Sequence, residues 1–166
     1  MANPQRRGTI TVEIIGEKRV KKAIVDAKGL LPEVAEQIIH DAGDEMVQFA
    51  QINLHRMKPP GIDTGALVQS IKNQKSKLTS IVYSDVKHSV FVEYGTRPHF
   101  PPLEAIRAWC IRRRIPVAMA YPIARKIAKY GTRARPFFGN AFAVIRKRLM
   151  VSMKQALSEA VNQVGK

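Results

Sequence analysis

A stripe of side chains with helical spacing runs through residues 32–57 and constrains the fold more than any other feature of the sequence. Its members recur every three or four positions, the spacing that places them on one face of an α-helix. They are Ala35, Ile38, Ile39, Ala42, Met46, Phe49, Ala50, Asn53 and Met57. The following Lys58-Pro59-Pro60-Gly61 cannot continue a helix. We therefore expect one long helix over residues 32–57 that packs along this face.

Strand signals lie on both sides of this helix. Residues 9–15 alternate apolar and polar side chains up to Gly16, which is the period-two pattern of a half-buried strand. Residues 70–77 and 79–85 are two further candidate strands, and a third element covers residues 89–94 and ends at a glycine. Together these segments predict one antiparallel sheet covered by helices.

Helical spacing also appears in four other segments. The first, residues 17–28, is short and basic and ends at Gly29, a typical helix C-cap. Residues 103–114 follow two prolines, and residues 118–130 come next. Residues 139–164 carry a long apolar stripe and form the last helix. The predicted fold class is α+β, with a small antiparallel sheet flanked by a long helix and a C-terminal helix, and with a helical insert.

A chain of 166 residues falls within the usual size of one domain. We expect four successive parts within it: an N-terminal strand and short helix (1–29), a long helix and sheet (30–95), a basic helical insert (96–132) and a terminal helix (133–166). No apolar run approaches the ~20 residues that span a bilayer, and the N-terminus is polar and basic. These observations predict no membrane contact and a cytoplasmic origin.

The net charge of +15 is unevenly distributed along the chain. Residues 97–148 hold thirteen lysines and arginines and one acid, Glu104, so they account for twelve of the fifteen excess charges. Five acids cluster earlier, on the predicted long helix: Glu33, Glu36, Asp41, Asp44 and Glu45. Such a charge permits nucleic acid, an anionic surface or an acidic protein as partner. Its distribution predicts a molecule with an acidic helix and a basic half.

Asp63-Thr64-Gly65 is the motif that most suggests catalysis, because the same triplet carries the catalytic carboxylate of aspartic proteases. That chemistry needs two such carboxylates that share a proton, and no apolar strand leads into the triplet here. We expect instead that Asp63 or Thr64 caps a short helical turn with its side-chain oxygen.

Other catalytic or metal-binding arrangements are weaker still. His40 and Asp44 have the spacing of two metal ligands on a helix, but two ligands do not make a site. Cys110, the only cysteine, has no base nearby in the sequence and lies on an apolar helix face, where we expect it to be a buried small side chain. We therefore predict no catalytic residue, no metal and no cofactor.

Arginines surround Trp109 on the first helix of the insert. On a helical wheel Arg107 and Arg114 lie at the edge of an apolar arc around Trp109, while Arg112 points away from it. This arrangement is more typical of the rim of a protein interface than of a DNA-recognition helix. A second basic cluster over residues 125–135 is either a solvated helix face or a contact with acids of a neighbouring subunit. The candidate interface residues are the five acids named above together with Arg107, Trp109, Arg114, Arg125, Lys129 and Arg133.

One short segment occurs twice. Tyr94-Gly95-Thr96-Arg97-Pro98 recurs in part as Tyr130-Gly131-Thr132-Arg133, and the residues between the two copies are not repeated. Glycine adopts positive φ without steric cost. We therefore expect the same turn to be used at both places.

The motifs also have a characteristic order. The long helix is followed by Asp63-Thr64-Gly65-Ala66-Leu67 with Ser70-Ile71, a strand pair, Phe91-Val92-Glu93-Tyr94-Gly95-Thr96-Arg97-Pro98-His99, and Ala134-Arg135-Pro136-Phe137-Phe138 before the terminal helix. This order resembles the tail-completion or minor tail (head-to-tail joining) proteins of tailed bacteriophages. The resemblance covers the chain from about residue 30 onward, and residues 100–129 are similar to an insert found in a common variant of that family.

The resemblance implies a non-catalytic virion subunit that assembles in the host cytoplasm into a ring, commonly a hexamer, at the head-proximal end of the tail. Such a ring completes the tail, joins it to the capsid beside other neck and tail proteins, and lets DNA pass through its lumen. It further implies that Tyr94 to Pro98 and Arg135 to Phe137 are structural turns that fix the insert and the terminal helix against the sheet. The alternative function is a free nucleic-acid-binding protein whose residues 97–148 neutralise phosphates.

Overall fold

The structure, a computed structural model, describes residues 11–15, 31–57 and 63–164. It has the predicted α+β class, with a three-stranded sheet, two long helices and a helical insert at residues 96–132. In chain order the elements are β1 (Thr11–Ile15), α1 (Leu31–Arg56), α2 (Ala66–Gln69), β2 (Ile71–Ser76), β3 (Thr79–Ser84), α3 (Ser89–Tyr94), α4 (Leu103–Arg112), a 3-10 turn (Val117–Met119), α5 (Ala120–Tyr130) and α6 (Phe138–Val164).

The sheet has the strand order β1-β3-β2, and both neighbouring pairs are antiparallel. Ile71 at the start of β2 lies opposite Ser84 at the end of β3. Burial alternates along β3, where Ser80, Val82 and Ser84 are the buried positions. The period-two alternation of the strand therefore directs one face of the sheet toward the core, where α1 packs against it.

α1 contributes a continuous buried stripe to the core. Its buried side chains are Ala35, Ile39, Ala42, Met46, Ala50 and Leu54. Near the end of the helix the buried residue is Leu54 rather than Asn53, and Nδ2 of Asn53 donates to the carbonyl of Phe137 at 3.0 Å. A Cβ atom at Gly43 would overlap the side chains of Ser80 and Asn73, so this glycine lets the helix lie directly on the sheet.

α6 packs along α1 in the opposite direction. Phe137, just before α6, lies beside Asn53 near the end of α1. Further along α6, Arg148 donates to Glu45 at 3.1 Å and places its guanidinium 4.9 Å from the centre of the Phe49 ring. The last turns of α6 therefore lie beside the first turns of α1. A helix of 26 residues is about 39 Å long, so α1 runs between two well-separated ends of the molecule.

Most predicted elements are confirmed, with boundaries shifted by one or two residues. The prediction that residues 89–94 belong to the sheet is wrong, because this segment is the helix α3 and buries Ser89 and Glu93, one helical turn apart. The helix expected over 118–130 begins with a 3-10 turn. The predicted helix over 17–28 and the stop at 58–61 lie outside the described residues. Within the described ranges, no helix has both the length and the apolar character needed to cross a bilayer.

Candidate functional site

The duplicated turn joins the insert to the rest of the molecule. Gly95 and Gly131 both have positive φ, 74° and 68°, as their repeated context predicts. The residues after them, Thr96 and Thr132, form an antiparallel bridge in which N–H of Thr96 donates to the carbonyl of Thr132 at 3.1 Å. N–H of Thr132 in turn donates to Oγ1 of Thr96 at 3.0 Å. The two copies of the turn therefore pair with each other and close the base of the insert.

Both glycines are required by this pairing. A Cβ atom on Gly95 would overlap the carbonyl oxygen of Thr132, and one on Gly131 would overlap that of Thr96. Neither obstacle is a movable side chain, since both atoms belong to the backbone. Tyr94 and Tyr130 precede the glycines and are largely exposed, and so are Arg97 and Pro98 beyond the first turn.

A buried carboxylate caps α6. The Glu93 side chain is only 4% exposed, and it accepts hydrogen bonds from N–H of Phe137 at 2.8 Å, Phe138 at 2.9 Å and Gly139 at 2.9 Å. These are N–H groups that a helix start leaves without partners, and a negative charge there is favoured by the helix dipole. The sequence analysis did not identify Glu93 as a structural residue. Its spacing of four residues from Ser89, which places both on one face of a helix, could have indicated that they are buried together.

The segment Arg135-Pro136-Phe137 holds α6 against α3. N–H of Arg135 donates to the carbonyl of Val92 at 2.9 Å. Phe137 is fully buried, and its ring packs 4.8 Å from that of Phe138, centre to centre. The proposed turn at residues 135–137 therefore lies where the backbone of α3 meets the start of α6, with hydrogen bonds to α3 and to Asn53 of α1.

Asp63 connects the insert to the body. Nη2 and Nε of Arg112 donate to Oδ2 of Asp63 at 2.6 and 3.0 Å, and Nε of Arg113 lies 3.7 Å from Oδ1. The hydrogen bonds from Arg112 hold the pKa of Asp63 below its ordinary value and outweigh the desolvation that raises it. Arg112, which points away from the Trp109 arc on the helical wheel, therefore points toward the body.

The expected capping role of Asp63 is wrong. The N-cap of α2 is Gly65, with φ 83° and no side-chain capping bond. Oγ1 of Thr64 accepts from N–H of Ala66 at 3.4 Å, which is long for a hydrogen bond. Because Asp63 binds Arg112, the last residue of α4, and lies near Arg113 directly after it, its carboxylate is used in a tertiary contact.

A groove of about 660 Å³ lies between the insert and α3. A second hollow of about 780 Å³ continues it toward α2 and shares Trp109 and Ile127 with it. The floor is apolar, with Val92 and Ile106 beside Trp109 and Ile127. The basic or titratable residues that line the groove are His88, His99, Arg113, Arg133 and Arg135. Asp63 is the one acid among the described residues that line the groove, and it is already paired with Arg112 and Arg113.

The other cations predicted for an interface lie on the outer surface of the insert. Arg125, Lys126 and Lys129 are exposed on α5 and form no ion pair with any described residue. Arg107 pairs with Glu104 on its own helix at 2.6 Å. Arg114 is exposed just beyond α4, with φ 55°. The outer surface therefore keeps most of its positive charge.

The five acids of α1 separate into two groups. Asp44 binds Lys75 at 2.7 Å and Asn73 at 2.9 Å, and Glu45 binds Arg148. Desolvation raises the pKa of Asp44. The hydrogen bonds from Lys75 and Asn73 outweigh this effect, so the pKa of Asp44 lies below its ordinary value. Glu33, Glu36 and Asp41 form no ion pair with a described residue, and they occupy the first turns of α1, at the end away from the insert.

The residues considered for chemistry do not come together. Nε2 of His40 lies 3.0 Å from the carbonyl of Ser76, while Asp44 binds other residues of β2. Cys110 is completely buried, as predicted. Among the described residues no group of three or more potential ligands could hold a metal ion.

Known proteins give no template for this arrangement. The chain matches no protein-family profile, no curated protein and no solved structure.

Proposed function

We propose that this chain is a non-enzymatic virion protein of a tailed bacteriophage, which forms a ring in the neck or tail, completes the tail and joins it to the capsid. One observation carries the assembly part of this proposal: acids without an ion pair to a described residue lie at the end of α1 away from the insert, whereas the insert carries exposed cations and only one acid, Glu104. The phage assignment rests on the order of the motifs from Asp63-Thr64-Gly65 to Arg135-Pro136-Phe137.

The acidic end consists of Glu33, Glu36, Asp41 and Glu159. Glu159 belongs to this end because α6 runs antiparallel to α1 and brings its last turns beside the start of α1. The basic end is the insert together with Arg133. Because α1 is about 39 Å long, the acids in its first turns cannot reach the cations of the insert in the same copy.

Opposite charges on separate surfaces of one chain favour head-to-tail contacts between copies. A head-to-tail contact uses two different surfaces, and repetition of it gives a closed ring when the rotation between copies divides a full turn. The insert is suited to such a contact, because the paired turns and the Asp63–Arg112 bond hold it at two places while its outer surface stays exposed.

The test is the arrangement of the chain in an assembled neck or tail, observed by electron microscopy of intact particles, with native mass spectrometry of the purified protein beside it. We expect a cyclic ring in which the acidic end of each copy faces the basic end of the next. A protein that stays monomeric at high concentration and occupies no ring in the particle contradicts the proposal.

A second candidate function is binding of nucleic acid, and one observation favours it. Tyr121, Arg125 and Lys129 lie along one exposed face of α5, and the Phe100 ring lies 6.5 Å from that of Tyr121. Aromatic rings for stacking beside cations for phosphates are typical of single-strand binding surfaces. Binding of an oligonucleotide that weakens steeply with salt supports this function. If binding is undetectable at moderate salt, the second candidate fails.

A further inference from the structure

We infer that the groove between the insert and α3 receives the first turns of α1 from a neighbouring copy of this chain. The inference rests on the proposed ring, and it names the two surfaces that would form each contact.

The groove is chemically complementary to an acidic segment that also carries an apolar side chain. Its floor contains Trp109, Ile106 and Ile127, while Arg133 is exposed at its edge and forms no ion pair with a described residue. Asp63 is already neutralised by Arg112, so the groove retains a positive charge. An occupant with a single apolar side chain and adjacent carboxylates satisfies both requirements.

The start of α1 has this composition. Val34, Gln37 and Asp41 are all exposed and occur at spacings of three and four residues, so they share one face of the helix. Val34 is 41% exposed, which leaves an apolar side chain of the acidic end open to solvent. Glu33 is exposed next to it in the first turn. This face presents a valine between carboxylates, which complements an apolar floor with a basic edge.

The same contact cannot form within one copy. Nε2 of Gln51 donates to the carbonyl of Val68 at 3.2 Å, and Val68 lines the hollow that continues the groove. The groove therefore lies near the last turns of α1. Val34 is seventeen residues before Gln51 on the same helix, a distance of about 25 Å. The two surfaces meet only when the acidic end of one copy approaches the groove of another.

The test is a charge exchange between Glu33 and Arg133, with self-association measured by analytical ultracentrifugation. Each single reversal, Glu33→Lys or Arg133→Glu, places like charges at the contact, and we expect it to weaken self-association by about a hundredfold. The double variant Glu33→Lys/Arg133→Glu restores opposite charges in every contact. We expect it to recover to within about tenfold of the original chain, as a double-mutant cycle requires for residues that interact.

The matched control is Glu33→Lys/Arg146→Glu. It has the same net charge as the exchanged pair, but Arg146 is exposed on α6 and does not line the groove. We expect this control to associate as weakly as Glu33→Lys alone. Thermal unfolding of every variant checks that each one remains folded.

The possible results separate the inference from the proposed function. If the unchanged chain forms rings and the single reversals do not weaken them, the inference is wrong and the ring remains. If Arg133→Glu weakens association but the exchange does not restore it, the groove binds a different segment and the inference is also wrong. An unchanged chain that forms no ring, alone or in the particle, overturns the proposed function itself.

Discussion

The body and the insert of this molecule are held together by different kinds of contact. In the body, α1, α6 and the sheet bury large side chains such as Met46, Phe137 and Ile145 in one cluster. In the insert, the fully buried side chains of the described helices are small: Cys110, Ala120 and Ala124. Buried apolar area is the main stabilising contribution in a domain of this size. We therefore expect the body to be the more stable part and the insert to depend more on its attachments to the body.

The insert also exposes several large apolar side chains on its surface. Ile111 and Tyr130 are each 65% exposed, and Val117, Met119 and Tyr121 are exposed as well. Several exposed large apolar side chains in one small part of a chain, beside exposed cations, are typical of protein contacts. The comparison suggests that the body provides stability and the insert provides contacts, and four measurements test this difference.

The largest expected effect is in the core of the body. Phe137→Ala should lower the free energy of unfolding by about 3–5 kcal/mol, because it removes a fully buried ring and leaves a cavity. The matched change in the insert, Ile111→Ala, should alter it by less than about 0.5 kcal/mol. Chemical denaturation of both variants measures the difference. Equal losses would remove the distinction between body and insert.

The next effect concerns the buried cap of α6. Glu93→Ala leaves the N–H groups of residues 137–139 without their acceptor, and we expect a loss of about 2–3 kcal/mol. Glu104→Ala is the control, because this carboxylate is exposed and pairs only with a neighbour on its own helix. If the two variants have the same stability, Glu93 contributes no more than a surface acid.

A smaller and more local effect is expected at the paired turns. Gly131→Ala introduces a Cβ atom at positive φ and against the backbone of Thr96, and the left-handed conformation alone costs about 1–2 kcal/mol. Gly65→Ala is the matched control, since it also has positive φ, but a Cβ there meets only the end of the Gln69 side chain at 3.9 Å. Hydrogen exchange should increase in the insert for Gly131→Ala and not for Gly65→Ala.

The smallest effect is the pH dependence of the Asp63 contact. Because the pKa of Asp63 is lowered in the folded chain, its contribution to stability is complete above its ordinary pKa of 3.8 and is lost as the pH falls through the folded value. The carboxylate is partly exposed, so we expect less than about 1 kcal/mol. The protection of α4 against hydrogen exchange, relative to the intrinsic rate at each pH, should fall below about pH 4 in the original chain. Asp63→Asn should show that loss of protection at neutral pH; unchanged protection there would contradict the role of this contact.

Local patterns predicted much of the architecture. The stripe over residues 32–57 predicted α1 to within one residue at each end, and the two strands of the hairpin were also correctly placed. Residues 89–94 were misassigned to the sheet, because a segment of six residues is too short for periodicity to separate a helix from a strand. In the candidate site, the sequence identified the two glycine turns and the cations near Trp109. It did not identify Glu93, and it assigned Asp63 or Thr64 to a local cap, whereas the carboxylate of Asp63 binds Arg112.

The division between local and tertiary information has a physical reason. Helical stripes, strand alternation and glycine turns depend on neighbours along the chain, so the sequence alone determined α1, the hairpin and the conformations of Gly95 and Gly131. Tertiary structure alone decided which distant groups meet: Thr96 with Thr132, 36 positions apart, Glu93 with residues 137–139, and Asp63 with Arg112, 49 positions apart. A carboxylate can bond to any nearby donor, and only the packing of α3, α4 and α6 brings one particular donor within reach.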